Sequence, residues 1–228
     1  MNIEVHATSA DVAAAAATMV GDLLARSDGP FSLGLAGGST PRATYRRLRS
    51  EALPWKRVTC WLSDERWVPL DDPESNTRMA KDELVDHVPC AFVGPDTTLP
   101  DPGISALTYE GILLPFLTHD ERLQPDVVLL GMGPDGHTAS LFPGTEAVDS
   151  DRVGYVANWV PEQDTWRLTA TIPLLQAARH VIFLVTGDNK APMLRRVLRD
   201  DEPLPAQRVS AGAQRTTWLL DEAAAARL

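Results

Sequence analysis

Short apolar segments alternate with segments of helical periodicity along this 228-residue chain. The apolar segments have the length of strands, and each is followed by residues typical of turns; they lie at 31–36, 58–62, 127–130, 181–185 and 217–220. Helices are predicted near 10–26, 41–50, 77–87, 105–118 and 189–199. Alternation of this kind predicts an α/β fold with a mostly parallel sheet and helices on both faces.

The chain shows no internal repeat or low-complexity linker. Its length fits one large domain, so we expect residues 1–228 to fold as a single unit. The proline- and glycine-rich stretch at 89–103 is predicted to be a surface loop rather than a domain boundary. The helix near 10–26 is expected to come first, ahead of any strand.

Charge and cysteine content limit the classes of partner. The chain has 21 Lys and Arg residues and 31 Asp and Glu residues, so its net charge is -10. A negative charge of this size disfavours binding to nucleic acid. Cys60 and Cys90 match no metal-ligand spacing, and both are expected in the core of a reduced, cytoplasmic protein. The apolar run at 12–20 lacks a basic flank and is too short to span a membrane, so no membrane association is expected.

In an open α/β sheet, ligands bind beyond the carboxyl ends of the strands. The first loop there reads Gly37-Gly38-Ser39-Thr40-Pro41 and precedes a helix. The glycines let a ligand approach the backbone, Ser39 and Thr40 offer hydroxyls and a helix cap, and Pro41 suits the first helical position. Free N–H groups and the helix dipole predict a site for one phosphate group. A plain strand-to-helix turn is the alternative.

The second loop covers residues 131–138 and reads Gly-Met-Gly-Pro-Asp-Gly-His-Thr. Its glycine spacing matches the dinucleotide signature, which alone is weak. That signature requires a long helix beginning in the loop, whereas Pro143 and Gly144 limit the following segment to about two turns. It also requires an acid at the end of the next strand, and residues 155–158 offer none. The match to nicotinamide enzymes is therefore discounted.

What this second loop does offer is a histidine at the mouth of the sheet. His137 lies two residues after Asp135. An imidazole, whose ordinary pKa is near 6.5, is a suitable general base at neutral pH. A histidine of purely structural importance is the alternative, but the glycine-rich setting favours a catalytic role.

Two further segments carry charge at strand ends. Lys190 follows the strand at 181–185, from where its ammonium group can reach an anion; a solvated surface lysine is the alternative. Asp64 and Arg66 follow the strand at 58–62, and on an extended segment they share one side while Glu65 takes the other. That side offers a carboxylate and a guanidinium to a site, although an internal ion pair is equally compatible with the sequence.

Taken together and in this order, these segments resemble the 6-phosphogluconolactonase family, which shares a broader fold group with the glucosamine-6-phosphate deaminases. The resemblance extends over nearly the whole chain. The matching stretches are 35–41, 63–69, 75–76, 131–142, 167–169, Lys190 and 218–224.

The resemblance implies a Rossmann-like α/β fold and the hydrolysis of 6-phospho-D-glucono-1,5-lactone in the pentose phosphate pathway, with no metal or organic cofactor. Position by position, the phosphate would be held by the Gly37–Thr40 loop (Gly37, Gly38, Ser39 and Thr40) and by Lys190. His137 would act on the lactone, and Asp135 and Asp64 are further catalytic candidates. For the oxyanion, loop N–H groups around Gly133 to Gly136 or an arginine are candidates. Arg66 and Arg167 match family arginines that contact either phosphate or carbonyl.

Two alternatives from the same fold group stay open. A sugar-phosphate deaminase or isomerase would carry Asn-Glu shortly after the histidine, whereas this chain has Leu141-Phe142-Pro143-Gly144. A non-catalytic sugar-phosphate sensor would carry an N-terminal helix-turn-helix, which the single predicted helix and the acidic charge do not support. The expected partner is a phosphorylated sugar lactone, and the sequence leaves protein partners undetermined.

Overall fold

The computed structural model describes residues 1–119 and 121–228. Its strands, in chain order, are β1 (Asn2–His6), β2 (Phe31–Leu35), β3 (Val58–Leu62), β4 (Asp64–Arg66), β5 (Ala91–Val93), β6 (Thr118–His119), β7 (Arg122–Leu123), β8 (Val127–Leu130), β9 (Tyr155–Val160), β10 (Thr165–Ala170), β11 (His180–Val185) and β12 (Thr216–Asp221). Its helices are α1 (Ser9–Arg26), α2 (Ser39–Leu48), α3 (Asn76–Glu83), α4 (Pro102–Leu117), α5 (Ile172–Gln176), α6 (Ala191–Leu198), α7 (Pro205–Gly212) and α8 (Glu222–Ala225).

The main sheet has seven strands in the order β1-β12-β11-β8-β2-β3-β5, and every neighbouring pair is parallel. A separate antiparallel sheet has the order β4-β10-β9, and β6 and β7 form a short hairpin. The largest sheet is therefore entirely parallel, as the alternation of strands and helices predicted. The predicted Rossmann-like, mostly parallel α/β fold is confirmed.

Helices cover both faces of the main sheet. On one face, α1, α2 and α3 pack against side chains such as Leu129 and Leu219. On the other face, α4, α5, α6 and α7 pack against Val128 and Trp218, the residues that precede Leu129 and Leu219 in the same strands. Successive strand residues point to opposite faces, so strands buried on both sides need continuous apolar sequence. This is why the segments at 127–130 and 181–185 read as unbroken apolar runs.

All five predicted strands and all five predicted helices have counterparts in the structure. The helix near 10–26 begins at Ser9 because Thr8 caps it: the Thr8 hydroxyl accepts from the Asp11 N–H, and the Asp11 carboxylate accepts from the Thr8 N–H. The expectation that this helix precedes every strand is wrong. Strand β1 comes first and pairs with β12 from the far end of the chain.

Two local predictions also need correction. The stretch at 89–103, predicted as a loop, contains β5 and the start of α4. Cys60 is buried as expected, but Cys90, just before β5, is only half-buried. Whether residues 1–228 behave as one domain stays a prediction. Within the described ranges, no helix combines the length and apolar character needed to cross a membrane.

The segment after the second loop, which Pro143 and Gly144 limit to about two helical turns, forms no α-helix between residues 131 and 149. Residues 131–149 form turns, an isolated bridge between Thr138 and Leu141, and a single 3-10 turn at Glu146–Asp149. Gly144 adopts a positive φ of 79°, and Pro143 precedes it, so the backbone turns where a helix would continue. The next strand, β9, belongs to the antiparallel sheet. A dinucleotide-binding loop lies between two parallel strands of one sheet, so this arrangement also argues against the dinucleotide interpretation.

Candidate active site

A cavity of about 280 Å³ opens beyond the carboxyl ends of β2, β8 and β11. The predicted site residues that line it are Gly37, Gly38, Ser39, Thr40, Asp64, Arg66, Gly133, His137 and Lys190. Asp135, Gly136 and Arg167 lie outside its lining. A larger groove of about 640 Å³ lies at the opposite edge, near the amino ends of β1 and β12, and none of the predicted residues line it. The smaller cavity is therefore the one in which the predicted chemistry converges.

The Gly37–Thr40 loop leads directly into α2. Gly38 adopts a φ of 109°, and α2 begins at Ser39, two residues earlier than Pro41. No side chain caps this helix, so the prediction of a Ser39 or Thr40 cap is wrong. The first intrahelical bond runs from the Arg42 N–H to the Gly38 carbonyl. The N–H groups of Ser39 and Thr40 precede this bond and lie at the positive end of the helix dipole, which suits an anion.

The Thr40 hydroxyl lies 2.8 Å from the Thr186 hydroxyl, in the loop after β11. On the other side, the Tyr45 hydroxyl donates to the Ala36 carbonyl and accepts from the Ala36 N–H, both at 2.8 Å. These contacts tie the Gly37–Thr40 loop to a neighbouring loop and to its own helix. Thr186 also lines the cavity, and no sequence signal distinguished it from other strand-end threonines.

His137 is held by the carboxylate of Asp135. Nδ1 of His137 lies 2.6 Å from Oδ1 of Asp135, which also accepts from the His137 backbone N–H at 3.1 Å. Partial burial tends to raise the pKa of Asp135, but the hydrogen bonds and charge of His137 outweigh burial and lower it. The carboxylate is thus ionised at neutral pH and can orient the imidazole while staying outside the cavity lining.

The close approach of this pair depends on Gly133. A Cβ atom at Gly133 would lie 2.1 Å from Nδ1 of His137 and 2.6 Å from Oδ1 of Asp135. Gly136 adopts a φ of 84° and packs against Leu204, where a Cβ atom would come within 2.8 Å. Both glycines therefore permit the loop geometry that brings the acid and the imidazole together.

The backbone N–H groups of this loop are already used. The Gly133 N–H donates to the His137 carbonyl at 2.8 Å, and the Gly136 N–H donates to the Gly133 carbonyl at 3.2 Å. An oxyanion site formed by these two groups is therefore contradicted by their hydrogen bonds. The arginines stay candidates for that role.

The ring of His137 packs on Phe142, with centroids 4.2 Å apart and an angle of 35° between the rings. Phe142 is buried, and its neighbour Leu141 is fully buried. The segment where deaminases place an acid is therefore apolar and packed in this chain.

Asp64 is buried and lines the cavity. Its Oδ2 accepts from the Ser140 hydroxyl at 2.7 Å, and its Oδ1 accepts from the Ser63 hydroxyl at 3.2 Å. Asp64 and Arg66 both face the cavity while Glu65 faces away, as the alternation along an extended segment predicted. Sequence reasoning missed Ser140, because its link to Asp64 joins a turn after His137 to β4 across 76 residues of sequence and depends on the tertiary fold.

Arg66 and Arg167 are directly opposite each other on β4 and β10. Burial, followed by the positive charge of Arg66, lowers the pKa of Arg167. The Nε atoms of both arginines are buried without a hydrogen-bond partner among the described residues. Two adjacent guanidinium groups with unused donors favour a bound anion between or beside them.

Lys190 lies at the end of a 3-10 turn, Asp188–Lys190, immediately before α6. Burial lowers the pKa of Lys190, and the negative charge of Asp135 opposes this effect. Lys190 lines the same cavity as the Gly37–Thr40 loop and His137. The site thus combines an anion-binding loop, cationic side chains and an oriented imidazole.

Comparison with known proteins gives a consistent relationship. Residues 4–218 match the sequence model of the family described as glucosamine-6-phosphate isomerases/6-phosphogluconolactonase. A 6-phosphogluconolactonase from Nostoc is 40% identical over 216 residues, covering 91% of this chain and 88% of that protein. The structure of 6-phosphogluconolactonase from Trypanosoma cruzi superposes with a TM-score of 0.88 and 30% identity, covering 100% of this chain and 96% of that one.

A monomeric glucosamine-6-phosphate deaminase superposes with a TM-score of 0.86 at 24% identity, with 100% of both chains covered, which shows a shared fold. The family match covers most of the chain, and the relative at 40% identity agrees with it. The chain therefore belongs to the glucosamine-6-phosphate isomerase/6-phosphogluconolactonase family of enzymes.

Proposed function

We propose that this protein hydrolyses 6-phospho-D-glucono-1,5-lactone to 6-phospho-D-gluconate, in the cytoplasm, as a step of the oxidative pentose phosphate pathway. One observation carries the proposal: a carboxylate-oriented imidazole shares a cavity of about 280 Å³ with an anion-binding loop and a lysine. Relatives named 6-phosphogluconolactonase at up to 40% identity support the same substrate.

The phosphate of the substrate would bind at the start of α2. The N–H groups and hydroxyls of Ser39 and Thr40, with Gly37 and Gly38, provide donors, and Lys190 provides a positive charge. Holding the phosphate at this end fixes the lactone carbonyl near His137. Orientation of this kind contributes several kcal/mol to lowering a barrier, by an order-of-magnitude rule.

The hydrolytic step needs a base and no covalent intermediate. With Asp135 at Nδ1, the proton of neutral His137 resides on Nδ1, and Nε2 can accept a proton from water. The resulting hydroxide attacks C1 of the lactone and forms a tetrahedral oxyanion. As the bond between C1 and the ring oxygen breaks, the imidazolium returns its proton to that oxygen, which leaves as a hydroxyl group.

The oxyanion requires a donor other than the loop N–H groups of Gly133 and Gly136. Arg66 lines the cavity, and we assign direct contact with substrate to it, either at the oxyanion or at the phosphate. Arg167, opposite Arg66 and outside the lining, supplies a second positive charge. Asp64, fixed by Ser63 and Ser140, is suited to accept hydrogen bonds from sugar hydroxyls.

The main alternative is deamination or isomerisation of a sugar phosphate. Such chemistry moves protons between neighbouring carbons and needs an acid–base group beyond the histidine. Buried Leu141 and Phe142 occupy the segment where deaminases carry that acid, which favours hydrolysis. A non-catalytic sensor would not require the pairing of His137 with Asp135.

Substrate comparison tests the proposal. Freshly prepared 6-phosphogluconolactone is mixed with the wild-type protein, and acid release is followed against the spontaneous rate. Glucosamine 6-phosphate is tested in parallel for release of ammonia. We expect accelerated lactone hydrolysis and no ammonia; ammonia release without lactone hydrolysis would reverse the assignment.

A further inference from the structure

Glu65 is a fully buried carboxylate between two residues of the candidate site. It belongs to β4, with Asp64 and Arg66 on either side, and its side chain points away from the cavity lined by both neighbours. A carboxylate removed from water requires strong compensation. In this case the compensation comes from the start of α3.

Four hydrogen bonds reach the Glu65 carboxylate. Oε1 accepts from the N–H groups of Asn76 at 2.7 Å and Arg66 at 2.8 Å. Oε2 accepts from the Thr77 N–H at 2.7 Å and from the Ser75 hydroxyl at 3.2 Å. Asn76 and Thr77 are the first two residues of α3, so the negative charge also lies at the positive end of a helix dipole. We call this set the Glu65 network.

The Glu65 network continues to the Gly37–Thr40 loop through the side chain of Asn76. Nδ2 of Asn76 donates to the Asp64 carbonyl at 2.8 Å. Oδ1 of Asn76 lies against Gly37, where a Cβ atom would come within 2.2 Å. The buried carboxylate of Glu65 therefore fixes α3 to β4. The side chain of Asn76 in turn packs against the Gly37–Thr40 loop, to which we assign phosphate binding.

We propose that Glu65 is a positioning residue, which sets the placement of Arg66 and Asp64 relative to the Gly37–Thr40 loop and thereby the affinity for a phosphorylated substrate. The inference rests on the proposed function, because Arg66 and this loop are substrate contacts only within it. Glu65 touches no substrate. It acts through backbone positions on both sides of the cavity.

Charge and shape are both required of Glu65. Burial raises the pKa of Glu65, and its hydrogen bonds from Asn76 and Thr77 oppose that effect. In Glu65→Gln, one of the two oxygens becomes an NH2 group facing N–H donors, so at least one bond is lost and a repulsive contact appears. Loss of a bond to a charged group corresponds to roughly a tenfold or greater change in an equilibrium.

The test compares Glu65→Gln with Glu83→Gln. Glu83 is also buried, ends the same helix α3, and receives two bonds of 2.7 Å from Arg46. Its partners are arginines of α2 rather than groups of β4, and Glu83 does not line the cavity, so the variant removes a buried, hydrogen-bonded carboxylate from α3 without a direct contact with the site. Steady-state kinetics with 6-phosphogluconolactone and thermal unfolding are measured for both variants.

We expect both variants to lose thermal stability, and the KM for the lactone to rise about tenfold or more only in Glu65→Gln, with a smaller change in kcat. A KM within twofold of wild type in folded Glu65→Gln would overturn the proposal. If Glu65→Gln does not fold, Asn76→Ala takes its place, since it removes the side-chain link to Asp64 and Gly37 and leaves the backbone donors intact. An unchanged KM for the lactone in Asn76→Ala would then overturn the proposal that Glu65 positions the site.

Failure of the proposed function gives a different result. If the wild-type protein does not hydrolyse the lactone, affinity for inorganic phosphate, measured by calorimetry, replaces KM as the readout. Weaker phosphate binding in Glu65→Gln than in Glu83→Gln would still support positioning of the Gly37–Thr40 loop. Equal phosphate affinity in the two variants would reject it.

Discussion

Oδ1 of Asp135 lies 2.6 Å from Nδ1 of His137 and also accepts the backbone N–H of His137. A single carboxylate oxygen thus fixes both the ring and the backbone of the proposed base. The loop achieves this over two residues, so orientation of the imidazole does not depend on a distant part of the fold. The arrangement makes the acid, the glycine beside it and the histidine separately testable.

Asp135→Asn should lower kcat for lactone hydrolysis by about 100-fold or more, with little change in KM. The amide cannot hold the imidazole with its proton on Nδ1 as the carboxylate does, while the phosphate contacts remain. Steady-state kinetics above the spontaneous rate provide the measurement. Asp188→Asn serves as a nearby control, at the start of the turn that ends at Lys190, and is expected to retain kcat. Retention of full kcat in Asp135→Asn would separate Asp135 from catalysis.

Gly133→Ala should abolish most activity while the protein stays folded. The added Cβ atom would lie 2.1 Å from Nδ1 of His137, so the ring must leave its position. Gly111→Ala, in α4, is the control, because a Cβ atom there meets no atom within 4 Å and Gly111 does not line the cavity. Kinetics and circular dichroism of the two variants give the comparison. Equal activity in both would show that the His137 position is not needed.

Lys190→Ala should raise the KM for the phosphorylated lactone about tenfold or more and leave kcat nearly unchanged, because the lysine is assigned to binding rather than chemistry. The same variant should hydrolyse unphosphorylated D-glucono-1,5-lactone at the wild-type rate. Lys81→Ala, on the exposed side of α3, is the control. A loss in kcat with an unchanged KM would argue against the assigned role in phosphate binding.

His180 predicts a pH dependence of stability that is independent of catalysis. It is buried at the start of β11, its Nδ1 has no partner within the described ranges, and burial together with the charge of Arg215 lowers the pKa of His180 to about 4. Above pH 6.5 the imidazole is neutral in both states. Below that pH the unfolded state binds a proton that the folded state does not, so stability falls until about pH 4.

The difference between a pKa of about 6.5 and one of about 4 corresponds to a loss of about 3 kcal/mol in the free energy of unfolding. Urea denaturation at pH 7 and pH 4.5 measures it. His180→Gln should flatten this dependence, whereas His87→Gln, at an exposed histidine, should leave it unchanged. Identical pH dependence in wild type and His180→Gln would contradict the buried neutral state.

The parts of the fold predicted from sequence are those with strong local signals. Strands β8 and β11 are buried on both faces and read as continuous apolar runs, and α1 begins at a capping residue. Strand β1 was missed because it is a five-residue edge strand with only two apolar side chains, Ile3 and Val5, and its pairing with β12 is non-local. Such pairing depends on the whole chain and leaves little trace in a local pattern.

In the candidate site, too, the features that are local in sequence were predictable and the contacts between distant segments were not. The Gly37–Thr40 loop and the loop of His137 are contiguous in sequence, and their residues line one cavity. The contacts of Asp64 with Ser140 and the alignment of Arg66 with Arg167 join distant segments, and could not be read from spacing. The oxyanion donors predicted at Gly133 and Gly136 were wrong because the loop uses those N–H groups to hold its own shape.

The most direct test of the central claim is kcat/KM for 6-phosphogluconolactone in wild type and His137→Ala under identical conditions. We predict hydrolysis by the wild-type protein well above the spontaneous rate, and a loss of about 100-fold or more in the variant, the usual contribution of a general base. No acceleration by the wild type would contradict the proposed function. Full activity in folded His137→Ala would contradict the assignment of the base.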